Sequence, residues 1–224
     1  MILLAADTSG KQGSIALAKC GPENECQILE MVALSGGAFS AQLVPQIAEL
    51  LARHGFTKHD IGGFAVATGP GSFTGLRVGL AAIKALAEAL AKPIAAISLL
   101  NAVALAAETN TKIFAALDAG RGEIYLAEYE AGKPTDFGER LMTREDFLAH
   151  VRSRSIATPD GWIAEAARDA GIEAVIVERP DSAEIAILGW RNLQAGLTVS
   201  PEELDANYVR RSDAEIFSKP GSKS

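Results

Sequence analysis

The chain has 224 residues, of which 48% are hydrophobic and 22% charged, the composition of an ordinary globular protein long enough for one large domain or two small lobes. No run approaches the ~20 apolar residues of a membrane span. The opening Met1-Ile2-Leu3-Leu4-Ala5-Ala6-Asp7 lacks the basic region of a signal peptide and meets an aspartate early, and Cys20 and Cys26 alone supply neither a disulfide framework nor a zinc site, so a cytoplasmic protein is expected. A net charge of −7 argues against gripping nucleic acid unaided; the one basic excess, Arg210, Arg211, Lys219 and Lys223, reads as a solvated C-terminus.

Apolar runs and breakers predict strands over 2–7, 13–19 and 26–34, a helix over 40–54, a strand over 63–68, a helix over 74–91 and a strand over 93–97. A helix over 98–108 then leads to strands near 112–118, 122–130 and 137–142 and a helix over 143–153. Short strands at 154–157 and 173–177 bracket a helix at 161–170, and a last helix covers 181–195. Helix 40–54 collects Leu43, Val44, Ile47, Leu50 and Leu51 on one broad face. Helix 74–91 is apolar or small nearly all round, with Arg77, Lys84 and Glu88 on one narrow stripe, so it is expected to be covered on more than one side.

Between strand 63–68 and that helix runs Thr68-Gly69-Pro70-Gly71-Ser72-Phe73-Thr74-Gly75-Leu76-Arg77-Val78-Gly79. Glycines before a helix can free amides for an anion. No Gly-Lys-Ser/Thr follows, which excludes a P-loop. The spacing Gly-x-Gly-x-x-x-Gly, with the next strand ending in Ser98 rather than a carboxylate, also misses the dinucleotide fingerprint. Ser72 or Thr74 reads instead as a helix N-cap. No Gly-x-Ser-x-Gly elbow occurs, and no histidine is placed to activate Ser72.

The wording of this loop resembles the signature of the TsaB family, accessory subunits of the bacterial machinery that makes threonylcarbamoyladenosine in tRNA. Ala6-Asp7-Thr8-Ser9, Leu117-Asp118-Ala119-Gly120-Arg121-Gly122-Glu123-Ile124-Tyr125 and Tyr208-Val209-Arg210 extend the resemblance over nearly the whole chain. One departure is Ala206, where the family often has proline.

An internal echo accompanies the resemblance. Leu4-Ala5-Ala6-Asp7 leads into Gly13-Ser14-Ile15-Ala16-Leu17-Ala18, and Ala115-Ala116-Leu117-Asp118 leads into Gly122-Glu123-Ile124-Tyr125-Leu126-Ala127. Each copy is a hairpin whose first strand ends on an aspartate. Two such halves describe an α/β protein of actin-like (ribonuclease H-like) fold: two similar lobes, 1–109 and 110–224, each with a three-stranded antiparallel start and a βαβ continuation. The resemblance implies the same fold.

In actin-like ATPases the corresponding positions surround a nucleotide phosphate, which makes Asp7, Thr8, Ser9 and Asp118 candidate cofactor-binding residues; the alternative is that they bond tight turns. The late turn Thr158-Pro159-Asp160-Gly161-Trp162 lacks a glycine cluster for adenosine, so no cofactor is expected. The catalytic relative TsaD carries a His-x-x-x-His metal pair on its first-lobe helix. Here that helix begins Phe39-Ser40-Ala41-Gln42-Leu43, and His54, His59 and His150 are scattered, His54 and His59 flanking a turn where solvated side chains are expected. A non-catalytic protein with no metal is expected, with an actin-like small-molecule kinase as the competing class. The resemblance further implies a partner face on the two first-lobe helices, offered to a TsaD-like subunit or, alone, to a second copy, with Gly75 and Gly79 letting backbones approach. Its candidate residues are Ser40, Leu43, Val44, Ile47 and Leu51 on the first helix, and Phe73, Leu76, Arg77 and Leu80 at the second. A TsaE-like ATPase on the assembled pair, and tRNA contact only through the complex, are also implied.

Overall fold

In the computed structural model, which describes residues 1–152, 154–207 and 209, the first strand β1 (Ile2–Asp7) is buried at all six positions. Strands alternate faces, so Leu3 and Ala5 enter one core while Ile2, Leu4 and Ala6 enter another. Around β1 the first half adds β2 (Gly13–Cys20), β3 (Cys26–Leu34), α1 (Phe39–Arg53), β4 (Ile61–Gly69), α2 (Phe73–Leu90), β5 (Ile94–Ser98) and α3 (Leu99–Ala106). The second half repeats the order with β6 (Lys112–Gly120), β7 (Glu123–Glu130), β8 (Lys133–Thr143), α4 (Arg144–His150), β9 (Ser155–Thr158), α5 (Gly161–Asp169), β10 (Ala174–Ile176) and α6 (Ser182–Gln194). Every expected element is present within a few residues of its expected bounds. A 3-10 turn at Lys58–Asp60 was not among them, and β8 is longer than the 137–142 expected.

The sheets have orders β3-β2-β1-β4-β5 and β8-β7-β6-β9-β10. In each, three strands run antiparallel and two more add in parallel. The echo around Asp7 and Asp118 is therefore a true structural repeat, and the fold is the actin-like one.

Helices α1 and α2 cover the outer face of the first sheet, and α4 and α5 that of the second. The layer between the sheets is crossed over. Helix α3 follows β5 yet packs on β6 and β7, while α6 follows β10 yet packs on β1, β2, β4 and β5. The segment after α6 also returns to the first sheet: Val199 bridges Ile94, and Leu204 and Ala206 are buried beside α2. Sequence order alone, which divides the chain near residue 109, leaves α6 with the second lobe. Tyr208, Arg210, Arg211, Lys219 and Lys223 lie outside the described residues.

The three cores differ in grain. The outer ones hold Phe64, Phe147, Leu4, Leu17, Ile15 and other large side chains. The central one is built largely of alanine, including Ala5, Ala16, Ala65, Ala95, Ala115 and Ala157. Small side chains let a helix lie close to a sheet, and Gly189 on α6 sits so tightly that a Cβ there would fall 2.3 Å from the Cβ of Ala65.

Candidate functional site

The turn after β1 is held by its own residues. The Asp7 carboxylate accepts the Ser9 N–H at 2.8 Å, and the Thr8 hydroxyl donates to the Gly75 carbonyl at 2.8 Å. The Ser9 carbonyl accepts the Ser72 N–H at 2.7 Å. Asp7, Thr8 and Ser9 are all buried. Burial pushes the Asp7 carboxyl above its ordinary range, and the Ser9 hydrogen bonds oppose that shift. At the matching turn, Asp118 accepts the Gly120 N–H at 2.7 Å and its own N–H donates to Asp160 at 2.8 Å. Asp160 in turn pairs with Arg179, whose charge also reaches Asp7. The four candidate cofactor residues thus hold turn amides and helix contacts, and Arg179 stands between the two hairpins.

The glycine loop serves the same junction. Ser72 caps α2, accepting the Gly75 N–H at 3.3 Å. A Cβ on Gly75 would fall 2.1 Å from the Thr8 carbonyl, and one on Gly79 2.3 Å from the Thr8 hydroxyl. The close approach these glycines allow is to the β1–β2 turn of the same chain, which corrects the expectation that they face a partner. Their lack of side chains lets the first turns of α2 lie directly on Thr8.

Phe39, at the start of α1, is buried with its ring against Gly13. His59 is exposed as expected, and His54 is half-buried, its Nε2 2.8 Å from Glu30, which also pairs with Arg53 at 2.7 Å. His150 meets the Phe137 ring edge-on at 5.8 Å between centroids. Among the described residues, no three His, Cys, Asp or Glu side chains gather as metal ligands would.

The outer surface of α1 and α2 carries the second candidate site. An open apolar groove of about 450 Å³ runs between the first turns of the two helices. Ser40 and Val44 form one wall above Leu43; Phe73, Thr74, Arg77, Val78, Ala81 and Ala82 form the other. Val44 is 52% exposed and Phe73 40% exposed, and the Arg77 guanidinium stacks 3.6 Å above the Phe73 ring. Of the nine expected interface residues, Ser40, Val44, Phe73 and Arg77 are on this surface. Leu43, Ile47, Leu51, Leu76 and Leu80 are buried in the chain's own core, Leu43 as the floor of the groove. The correction is angular: 43, 47, 50 and 51 point at the sheet, while Val44, one step of about 100° from Leu43, faces outward. Thr74, Val78, Ala81 and Ala82 were not among the nine, although 74/78/82 and 73/77/81 are visible as i, i+4, i+8 stripes on a helix expected to be covered on more than one side.

Helix α1 also contains Pro45, in its interior on the exposed side. A proline there removes the N–H that would bond the Ala41 carbonyl.

The family described as TsaD, tRNA N6-adenosine threonylcarbamoyltransferase, matches residues 33–189. A Haemophilus influenzae protein named tRNA threonylcarbamoyladenosine biosynthesis protein TsaB is 32% identical over 173 residues, 75% of this chain and 69% of the relative. The chain belongs to the TsaB family. The Escherichia coli K12 protein of the same name is 27% identical over 230 residues, covering 96% of each chain. A Pseudomonas aeruginosa crystal structure of an uncharacterized protein with similarity to peptidase YEAZ superposes with a TM-score of 0.72 at 24% identity, covering 93% of this chain and 99% of that one. The TsaB family thus carries a TsaD-like fold, and the groove between α1 and α2 lies on this fold's first lobe.

Proposed function

We propose that the protein is the non-catalytic accessory subunit of the machinery that makes threonylcarbamoyladenosine at position 37 of tRNA, and that it holds a TsaD-like transferase through the α1–α2 groove. The observation that carries this reading is an open apolar groove, flanked by exposed Val44 and Phe73, in a chain of the TsaB family. Such a face is costly to leave in water and suits a partner presenting helices of its own. The transferase would bring the metal chemistry, since α1 here offers Phe39 and Leu43 where that enzyme carries its histidine pair. A TsaE-like ATPase docks on the assembled pair, tRNA is reached through the complex, and the work is cytoplasmic. The net charge of −7 supports leaving the RNA to a partner.

The test mixes the protein with a TsaD-like subunit and follows co-elution. Val44→Asp is expected to lose the complex while melting close to the parent. Unchanged co-elution of that variant and of Phe73→Ala would remove the groove from the interface.

A further inference from the structure

The turn Gly21–Glu25 joining β2 to β3 is closed by two cysteines, Cys20 as the last residue of β2 and Cys26 as the first of β3, paired in register. The backbone groups of Cys20 bond away from β3: its N–H donates to the Met1 carbonyl at 2.8 Å, and its carbonyl accepts from the Met1 amine at 2.6 Å. The next residue, Gly21, donates to the Glu25 carbonyl at 2.9 Å. Cys20 and Cys26 are therefore a non-hydrogen-bonded antiparallel pair, the kind with Cα atoms about 4.5 Å apart and side chains closest. A disulfide joins Cα atoms about 4.4–6.8 Å apart, so this backbone can accept one without moving a strand. The two sulfurs are already 2.7 Å apart.

The two thiols are not equivalent. Cys20 is 3% exposed, whereas Cys26 is half-buried, with its sulfur 3.9 Å from the Ala186 carbonyl of α6. The hydrogen bond shared by the two sulfurs pulls the Cys26 thiol below its ordinary range, while the same bond, with burial, pushes Cys20 up. Cys26, the less buried residue of the pair, thus also carries the thiol that more readily becomes a thiolate, and the thiolate is the form that attacks.

We propose that Cys20 and Cys26 form a reversible dithiol–disulfide site that reacts with low-molecular-weight disulfides. The Cys26 thiolate attacks one sulfur of the oxidant R–S–S–R, forming a Cys26–S–S–R mixed disulfide and expelling one R–S⁻. Cys20 then gives up its proton to solvent and attacks the Cys26 sulfur. The Cys20–Cys26 bond forms as the second R–S⁻ leaves. Two protein thiols are oxidised and one external disulfide is reduced to two thiols. Since these are the only two cysteines of the chain, the intrachain product has one possible pairing. The site lies on the first-sheet hairpin against α6 and rests on nothing in the reading of the groove.

The full chain is incubated with oxidised glutathione at neutral pH, quenched in acid and weighed intact by mass spectrometry. The expected product lacks two hydrogens, carries no glutathione, and regains both thiols with dithiothreitol. Cys20→Ser, which removes only the resolving thiol, is expected to stop at one glutathione on Cys26. Cys26→Ser is expected to stay unmodified, because its remaining thiol is buried. A parent protein that keeps both thiols, or that accumulates the glutathione adduct as Cys20→Ser does, overturns the proposal.

Discussion

Gly75 shows how a residue that looks like a flaw in a helix can be required by its surroundings. Alanine is favoured over glycine by about 1 kcal/mol in a helix interior, so local propensity predicts a gain for Gly75→Ala. The Thr8 carbonyl, 2.1 Å from the would-be Cβ, is backbone and cannot swing aside. Overpacking of this kind costs about 1–3 kcal/mol. The net expectation is a loss of stability, read as a lower denaturant midpoint at unchanged slope; a higher midpoint would mean that α2 can lift off the turn. Glu139 sets a second residue-scale expectation. Its carboxylate, on β8, accepts the Ser98 hydroxyl at 2.5 Å and the Asn207 amide at 2.6 Å, tying the start of α3 and the C-terminal segment to the second sheet. Burial raises its pKa above the ordinary 4.5, with Ser98, Asn207 and Tyr129 opposing. A raised folded-state pKa means that the stabilising contribution is complete below the unfolded value and is lost as pH rises through the folded one. Asp7 shifts the same way, so the comparison must be with Glu139→Gln. The melting temperature of the parent relative to that variant is expected to fall as pH rises above the ordinary carboxyl value of 4.5 toward neutral. A constant difference across that range would show that Glu139 does not titrate there.

Helices α1 and α2 each carry two jobs on two stripes. On α1 the stripe of Leu43, Ile47, Leu50 and Leu51 is buried against the first sheet, and on α2 the stripe of Leu76, Leu80, Ile83 and Ala87 is buried with it. The outward positions, Val44 on one helix and Phe73 with Arg77 on the other, line the open groove. Substitutions on the two stripes should therefore fail differently. Ile47 is 4% exposed, and Ile47→Asp places an unpaired carboxylate in the core at a cost of several kcal/mol, enough to unfold a marginally stable domain. Val44→Asp leaves the charge in water and should change stability by about 0.5 kcal/mol or less. The same charge buried against a partner should weaken binding by roughly two decades or more. Circular-dichroism melting beside a titration of the TsaD-like subunit separates the two. A Val44→Asp protein that melts as early as Ile47→Asp would place both residues on a single buried face.

For the whole molecule, two consequences follow, one from the open groove and one from how the lobes meet. With no partner present, the groove is expected to drive self-association, visible as a dimer in sedimentation at micromolar concentration and abolished by Val44→Asp. A parent that sediments as a monomer would mean the groove is too small to need a cover. Where the two hairpins face each other, Asp7 is engaged by Ser9, and Asp160 by Arg179 and the Asp118 amide. Calorimetric titration with ATP and magnesium is accordingly expected to give no micromolar binding. Heat that appears with the parent and vanishes in Asp7→Asn would restore these residues as a nucleotide site and favour the kinase reading.

The order and bounds of the elements were legible in the sequence because local signals set them: period-two and period-3.6 patterning, Ser72 as a cap, and glycines at turns. The repeat around Asp7 and Asp118 was legible too, since two copies of a strand-aspartate-turn leave a trace in one chain, and with it came the actin-like fold. Only the tertiary structure decided that α3 and α6 each pack mainly on the other half's sheet, because alanine-rich faces look the same whichever sheet they meet. It also decided that Gly75 and Gly79 serve Thr8, and that five of the nine expected interface residues lie beneath the surface. Periodicity gives the angle between two side chains on a helix but not the direction of the sheet it rests on. Pairings such as Arg179 with Asp160, Glu139 with Asn207, and the meeting of Cys20 with Cys26 depend on where folded elements and turns place their side chains, and nothing in the local sequence announces them.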